Sequence, residues 1–233
     1  MKKVGIIFAM EEELKELLKF LDLKKEYEIF ELKFYEGTLH GIELVLVESG
    51  VGKVNAARAT QILIDNMQVD YIFNIGVAGG ISPNLNVLDI VIGESLVQHD
   101  FDITAFNHEK GYIPKVGTFI KSDDYLVKLA KEVVSQDYQV FTGVIASGDI
   151  FCTETKMSQK INQKFNALCV EMEGASVAQV CNLDHIPFLV IRSISDTPNN
   201  NNVITYEEFL EKSSQNIANF MNQILNKLSQ DNF

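Results

Sequence analysis

Tyr71-Ile72-Phe73-Asn74-Ile75-Gly76-Val77-Ala78-Gly79-Gly80 is the stretch on which the fold turns. Residues 71–77 form a short apolar run that reads as a strand. The run passes straight into Ala78-Gly79-Gly80, where small residues let backbone amides approach a ligand closely, although a plain turn accounts for the glycines as well. Outward from this point the chain alternates strand-like runs with segments of helical period. Upstream, residues 4–9 read as a buried strand, and Leu14, Leu17, Leu18 and Leu21 follow at helical spacing. Residues 29–38 and 42–49 read as strands around the turn Leu39-His40-Gly41, and 54–66 as a helix. Downstream, strands are predicted at 89–93, 141–146, 167–171 and 188–194. Helices are predicted at 125–134, 156–165 and 175–181, with an irregular stretch over 98–118. Thr205 and Glu208 have the spacing of a capping box, and Ile217, Phe220, Met221, Ile224, Leu225 and Leu228 make one apolar face of a last helix. Before it, the Pro/Asn-rich residues 197–202 read as a mobile, lid-like loop. Such alternation predicts an α/β protein built on a central sheet, with one domain over residues 1–233.

Composition limits the function. The chain has 233 residues, 46% of them apolar, which is globular and neither disordered nor collagen-like. Its formal charge is −12, from 20 basic and 32 acidic residues, so it repels phosphate backbones and nucleic acid is excluded as a partner. Only Arg58 and Arg192 are arginines, a scarcity that bears on phosphate binding. Cys152, Cys169 and Cys181 have no C-x-x-C spacing, which argues against a disulfide framework or a zinc knuckle. The first apolar stretch, residues 4–10, is too short to span a membrane. It stops at Glu11-Glu12-Glu13, which is wrong for a secretory signal. A cytoplasmic protein with no membrane partner is expected.

Several motifs sit at strand ends, where α/β sheets bind ligands. Gly50-Val51-Gly52-Lys53 lacks the remaining positions of a P-loop and of a dinucleotide fingerprint, so a tight strand-to-helix turn is the better reading. In Val170-Glu171-Met172-Glu173-Gly174, two carboxylates end a buried strand. They share a face if the strand continues and diverge if it stops at Glu171. A carboxylate accepts two hydroxyl hydrogen bonds at once and so suits a ribose diol, although charge compensation at a helix start fits equally. The strand 188–194 delivers Asp196, which alone reads as a turn cap. Glu11-Glu12-Glu13 alone reads as a solvated helix start. Together, acids from separate strand ends make the pair that glycoside hydrolysis needs. His99-Asp100, Asp102 and His108 fit no common metal signature and read as a loop-stabilising cluster.

Taken in order, seven motifs resemble one family: Gly5-Ile6-Ile7-x-Ala9-Met10-Glu11-Glu12-Glu13, Ser49-Gly50-Val51-Gly52-Lys53-Val54-Asn55-Ala56-Ala57, Ala78-Gly79-Gly80, His99-Asp100, Ser147-Gly148-Asp149-x-Phe151, Val170-Glu171-Met172-Glu173 and Arg192-x-x-Ser195-Asp196. That family is the bacterial 5′-methylthioadenosine/S-adenosylhomocysteine nucleosidases, of the purine nucleoside phosphorylase-like superfamily. The resemblance implies a three-layer α/β/α sandwich with a mixed, twisted central sheet. It also implies hydrolysis of the N-glycosidic bond of 5′-thioadenosine nucleosides, and by extension of 5′-deoxyadenosine, with no cofactor and no metal. Glu13 would activate the water and Asp196 would protonate N7 of the leaving adenine. Glu173 would hold the ribose hydroxyls with Met172 against the sugar, and Phe151 would stack on adenine beside the Cys152 backbone. Ala78, Gly79, Ser195, Val51 and Met10 would line the substrate, and Arg192 would orient the acids around the water. Ile103, Phe106 and Pro114 would reach into the neighbouring subunit of a homodimer, and Tyr206 would close the tail pocket. Val77 departs from the serine many members carry, which puts a water-positioning hydroxyl in doubt. Cys152 departs from a frequent aliphatic residue.

The chemistry fits this allocation. Adenine leaves poorly as an anion and must be protonated, while the sugar becomes oxocarbenium-like and is stabilised by carboxylates. Asp196 must then carry a proton in a dry pocket. Phosphorolysis would need a dianion site built with arginines, and this chain has two. A non-catalytic nucleoside-binding module would not need both Glu13 and Asp196. Some members of the family also cleave aminodeoxyfutalosine.

Overall fold

The structure, a computed structural model, describes residues 2–197 and 202–231, the side chains of 202–205 excepted. Its strands are β1 (Lys3–Phe8), β2 (Asp22–Ile29), β3 (Leu32–Leu39), β4 (Ile42–Glu48), β5 (Tyr71–Gly80), β6 (Ile90–Gln98), β7 (Ile120–Lys121), β8 (Val140–Ser147), β9 (Ala167–Glu171) and β10 (Phe188–Asp196). Its helices are α1 (Glu11–Leu18), α2 (Lys53–Asp65), α3 (Asp124–Lys131), α4 (Thr155–Phe165), α5 (Gly174–Leu183) and α6 (Asn202–Gln230).

All ten strands join one mixed sheet in the order β10-β6-β8-β9-β5-β1-β4-β3-β2, with β7 on β6. Because β5 also pairs with β10, the strands β5, β10, β6, β8 and β9 close on themselves, while β1, β4, β3 and β2 extend as an open wing. Strand periodicity sorts the core onto two faces. Val4, Ile6 and Phe8 of β1 pack with Leu14 and Leu17 of α1, Leu126 of α3 and Phe220 and Ile224 of α6. Ile7, on the opposite face, packs with Ala59 and Leu63 of α2 and Val177 and Ala178 of α5. Helices therefore cover both faces of the sheet, the expected α/β/α layering. β10 is buried along its whole length, which explains the apolar run Phe188–Ile191 at its start.

Five expectations change. β2 was not expected as a strand: six of its eight residues are exposed, and an edge strand rich in Lys and Glu carries no apolar alternation. The predicted strand over 29–38 therefore begins only at Leu32, since Ile29 is the last residue of β2. Phe30 (φ 50°) and Glu31 (φ 64°) make the β2–β3 hairpin turn. Ala78-Gly79-Gly80 is not a turn but the end of β5, where Gly79 and Gly80 pair with Val170 and Cys169 of β9. β6 runs on to Gln98, well beyond residue 93. α6 starts at Asn202, so Thr205 lies inside the helix and does not cap it. Residues 198–201, in the loop read as lid-like, lie outside the described residues.

Candidate active site

A cavity of about 490 Å³ opens at the carboxyl ends of β1, β5, β9 and β10. Each strand end delivers its side chain for a local reason. Glu13 is the third residue of α1, and its carboxylate folds back as a cap. Oε2 accepts from the backbone N–H of Ala9 at 3.0 Å and of Met10 at 3.2 Å, and Oε1 from that of Val77 at 2.9 Å. Gly76 makes this approach possible, since a Cβ there would stand 2.5 Å from Glu13 Oε1. Val77, which has no side-chain hydroxyl to offer, therefore still serves Glu13 through its amide.

The β10–β5 register slips between Ile194 and Asp196, and this irregularity ends β10 on Asp196 at the cavity. Asp196 is buried, and its Oδ1 accepts from Ser195 Oγ at 2.9 Å. β9 stops at Glu171, so Glu171 and Glu173 diverge. Glu171 Oε2 accepts from the N–H of Glu173 at 3.1 Å and of Gly174 at 2.7 Å, and pairs closely with the Arg192 guanidinium. Glu173 instead takes the N–H of Gly52 at 2.8 Å. Gly52 can offer it because φ = 104° is open to glycine, which fixes the function of the Gly50–Lys53 turn.

Apolar walls complete the cavity. Phe151 and Tyr206 meet edge-to-face, with ring centroids 5.7 Å apart, and the Tyr206 hydroxyl lies 3.2 Å from Met10 Sδ. Of the residues singled out in the sequence, Met10, Glu13, Val51, Ala78, Gly79, Phe151, Cys152, Met172, Glu173, Ser195, Asp196 and Tyr206 line this one cavity. Arg192 does not. It is buried one layer behind, held by Glu171 and by Asn74 Oδ1 at 2.5 Å, and stands 3.8 Å from Glu173. Ile103, Phe106 and Pro114 do not line it either; they lie in the irregular 98–118 loop, where Phe106 is exposed. Val77 and Glu171, the second carboxylate of the Val170–Gly174 motif, line it as well, and Ala9, Ile150, Val170 and Glu207 do so without having been given a role. Ile150 and Glu207 adjoin Phe151 and Tyr206, the one signal that could have found them. Asp100 of the His99-Asp100 pair is a loop tie: it accepts from Lys53 Nζ at 2.7 Å and from the Asp149 N–H at 3.0 Å.

The electrostatics are lopsided. Four buried carboxylates, Glu13, Glu171, Glu173 and Asp196, share one buried guanidinium, Arg192. Burial raises Glu13 above the ordinary carboxylate range against the pull of Arg192 and of three amides. Burial and the adjacent Glu171 push Glu173 up to about 7. Burial alone would raise Glu171, but Arg192, Ser147 and the Gly174 amide outweigh it and hold it low. Burial also pushes the Cys152 thiol up, so it stays uncharged at neutral pH. Among the described residues no group of three or more His, Cys, Asp or Glu is placed to hold a metal ion.

A mixed sheet with helices on both faces, carrying an acid-lined nucleoside-sized cavity at its strand ends, defines the class: the chain belongs to the phosphorylase superfamily, whose family model matches residues 3–226. A 5′-methylthioadenosine/S-adenosylhomocysteine nucleosidase of Geobacillus sp. (strain WCH70) is 40% identical over 229 residues, covering 97% of this chain and 99% of the relative. The Helicobacter pylori enzyme of that name, solved with butyl-thio-DADMe-Immucillin-A, superposes with a TM-score of 0.94 at 36% identity, covering 97% of this chain and 99% of its own. A futalosine hydrolase of Helicobacter pylori strain 26695 superposes with a TM-score of 0.93 at 37% identity, covering 97% and 98%. Within the superfamily, the chain belongs to the 5′-methylthioadenosine/S-adenosylhomocysteine nucleosidases.

Proposed function

We propose that this chain hydrolyses the N-glycosidic bond of 5′-methylthioadenosine and S-adenosylhomocysteine, releasing adenine and the 5-substituted ribose, a step that serves methionine salvage and removal of the methyl-transfer product. The observation that carries this reading is a single cavity lined by Glu13, Glu173 and Asp196, which lie at or just after the ends of three separate strands, together with apolar walls. Glu173 accepts the ribose hydroxyls, and Met172 packs on the sugar. Phe151 stacks on adenine beside Cys152, while Ala78, Gly79 and Ser195 border base and ribose. Asp196 gives its proton to N7 as the C1′–N9 bond breaks. Glu13 takes a proton from the water whose oxygen forms the new bond to C1′. The carboxylates stabilise the cationic sugar between these events. Arg192, from behind, orients the acids. Val51, Met10 and Tyr206 enclose the 5′ tail.

Water rather than phosphate is the acceptor. No Lys or Arg lines the cavity among the described residues, Arg192 is already paired with Glu171, and Arg58 is an exposed residue of α2 that donates to the Phe30 carbonyl. A phosphate dianion would meet carboxylates without a guanidinium to receive it.

The chain works as one domain and as a cytoplasmic homodimer. Three buried free cysteines suit a reducing compartment. Val54 and Leu183 are exposed apolar residues on one surface groove, and Val51, Ile150 and Phe151 are exposed at the cavity. Large exposed apolar residues so grouped fit a partner surface, and Ile103, Phe106 and Pro114 of the 98–118 loop would extend across it to the neighbour's tail pocket.

Adenine release from 5′-methylthioadenosine, S-adenosylhomocysteine, 5′-deoxyadenosine and aminodeoxyfutalosine, with and without phosphate, tests the reading. Phosphate-independent release from the two thioadenosines is expected. Ribose-1-phosphate formation that depends on phosphate would overturn it, and turnover of aminodeoxyfutalosine alone would reassign the substrate.

A further inference from the structure

Glu171 borders the cavity, yet its carboxylate is engaged from every side. Oε2 receives the amides of Glu173 and Gly174 and the Arg192 guanidinium, and Oε1 receives the Ser147 hydroxyl. Ser147 Oγ in turn accepts from the Ala175 N–H at 2.7 Å, so the network pins the first turn of α5 to β8, β9 and β10. By taking the one buried arginine, Glu171 leaves Glu173 3.8 Å from that guanidinium and Glu13 with backbone amides as its hydrogen-bond donors.

We infer that Glu171 is a positioning residue for the reaction: it aims Glu173 by gripping the amides of residues 173 and 174, and it neutralises Arg192 so that Glu13 and Glu173 face the substrate without an unpaired guanidinium beside them. This rests on the nucleosidase reading above. The charges facing Glu173 support it. Arg192 approaches from β10, Glu13 from α1 and Glu171 from β9, with Tyr206 of α6 in the same field. His99, after β6, also feels the Glu171 charge, and burial keeps His99 below its ordinary range. Removing the Glu171 charge leaves Arg192 to favour the ionised forms of Glu13 and Glu173, so both lose protons at lower pH.

Glu171→Gln isolates that charge. The amide oxygen can replace Oε2 toward the two amides and the guanidinium, and its NH2 can donate to Ser147 Oγ, reversing the direction of that one hydrogen bond while keeping the contact. The experiment is the pH profile of kcat/KM for 5′-methylthioadenosine in the wild type, Glu171→Gln and Glu171→Asp. In Glu171→Gln the acid-side midpoint is expected to move down by about one pH unit. Glu171→Asp keeps the charge and hence the midpoint, but its shorter reach lowers kcat by roughly 10-fold. An unmoved midpoint in folded Glu171→Gln overturns the inference, because a merely structural residue would change rate or stability and not the midpoint. Absence of adenine release by the wild type would instead sink the nucleosidase reading itself, in an arm that does not involve Glu171. Should Glu171→Gln not fold, carboxyl-carbon NMR of the wild type tests the same claim. Glu171 is expected to stay ionised from about pH 5 to 8 while Glu173 titrates within that range. Proton uptake by Glu171 there overturns the inference.

Discussion

Asp196 and Glu13 divide two proton tasks between two kinds of surroundings. Asp196 faces a hydroxyl, that of Ser195, whereas Glu13 is tied down by three backbone amides. If Asp196 is the acid, Asp196→Asn lowers adenine release by about 10²–10⁴-fold while the nucleoside still binds. A release assay paired with calorimetric binding checks this, and near-normal turnover would remove Asp196 from the role. Glu173 makes a prediction about stability. Its carboxyl in the folded protein sits at about 7, above its ordinary 4.5, so the folded state binds more protons than the unfolded one between those values. Its contribution is fully present below about pH 4.5 and is lost as pH rises through 7. The Tm of the wild type should therefore fall more steeply across this window than that of Glu173→Gln, which stays neutral throughout. Parallel Tm curves would contradict a protonated Glu173.

At the scale of elements, the strand ends do the positioning. β5 needs Gly76 beside Glu13, so Gly76→Ala should push the Glu13 carboxylate off the Val77 amide. A displaced base loses turnover by roughly 10²-fold, with a smaller change in KM, and overpacking costs about 1–3 kcal/mol of stability. Steady-state kinetics and chemical denaturation read the two effects separately, and unchanged kcat would show that Glu13 does not need this seat. α6 shows how far an apolar stripe can be trusted. Ile217, Phe220, Met221, Ile224, Leu225 and Leu228 all lie in the core that joins α6 to β1 and α1. The Thr-x-x-Glu spacing at residues 205–208 does not mark the start of that helix, because such a spacing also occurs within helices. β2 was missed for a different reason, since an exposed edge strand has no buried face to impose alternation.

For the whole molecule, closure of β5, β10, β6, β8 and β9 brings the end of β9 beside the ends of β5 and β10. Without closure, Glu173 and Asp196 would sit on separate parts of a sheet. The same assembly leaves Val54 and Leu183 exposed on one groove. If this surface joins two copies, Leu183→Glu should give a monomer by light scattering and lower kcat/KM by about 10-fold or more through loss of the neighbour's loop. A fully active monomer would refute the shared pocket. No described helix is long and apolar enough to cross a membrane.

The sequence by itself determined the α/β class, most of the strands and helices, and the acids at the ends of β1, β9 and β10. Buried strands and amphipathic helices write their periods directly into composition, and carboxylates next to buried strands stand out against that background. Only the tertiary structure decided which of those acids meet. Glu171 and Glu173 are two residues apart and equivalent as text, yet the strand stops between them, so one locks onto Arg192 and the other takes the Gly52 amide. Arg192 likewise reads as a site residue and lies one layer behind. Whether a charge is paired or available depends on neighbours at sequence separations of 21 (Glu171–Arg192) to 121 (Gly52–Glu173), which no local pattern encodes.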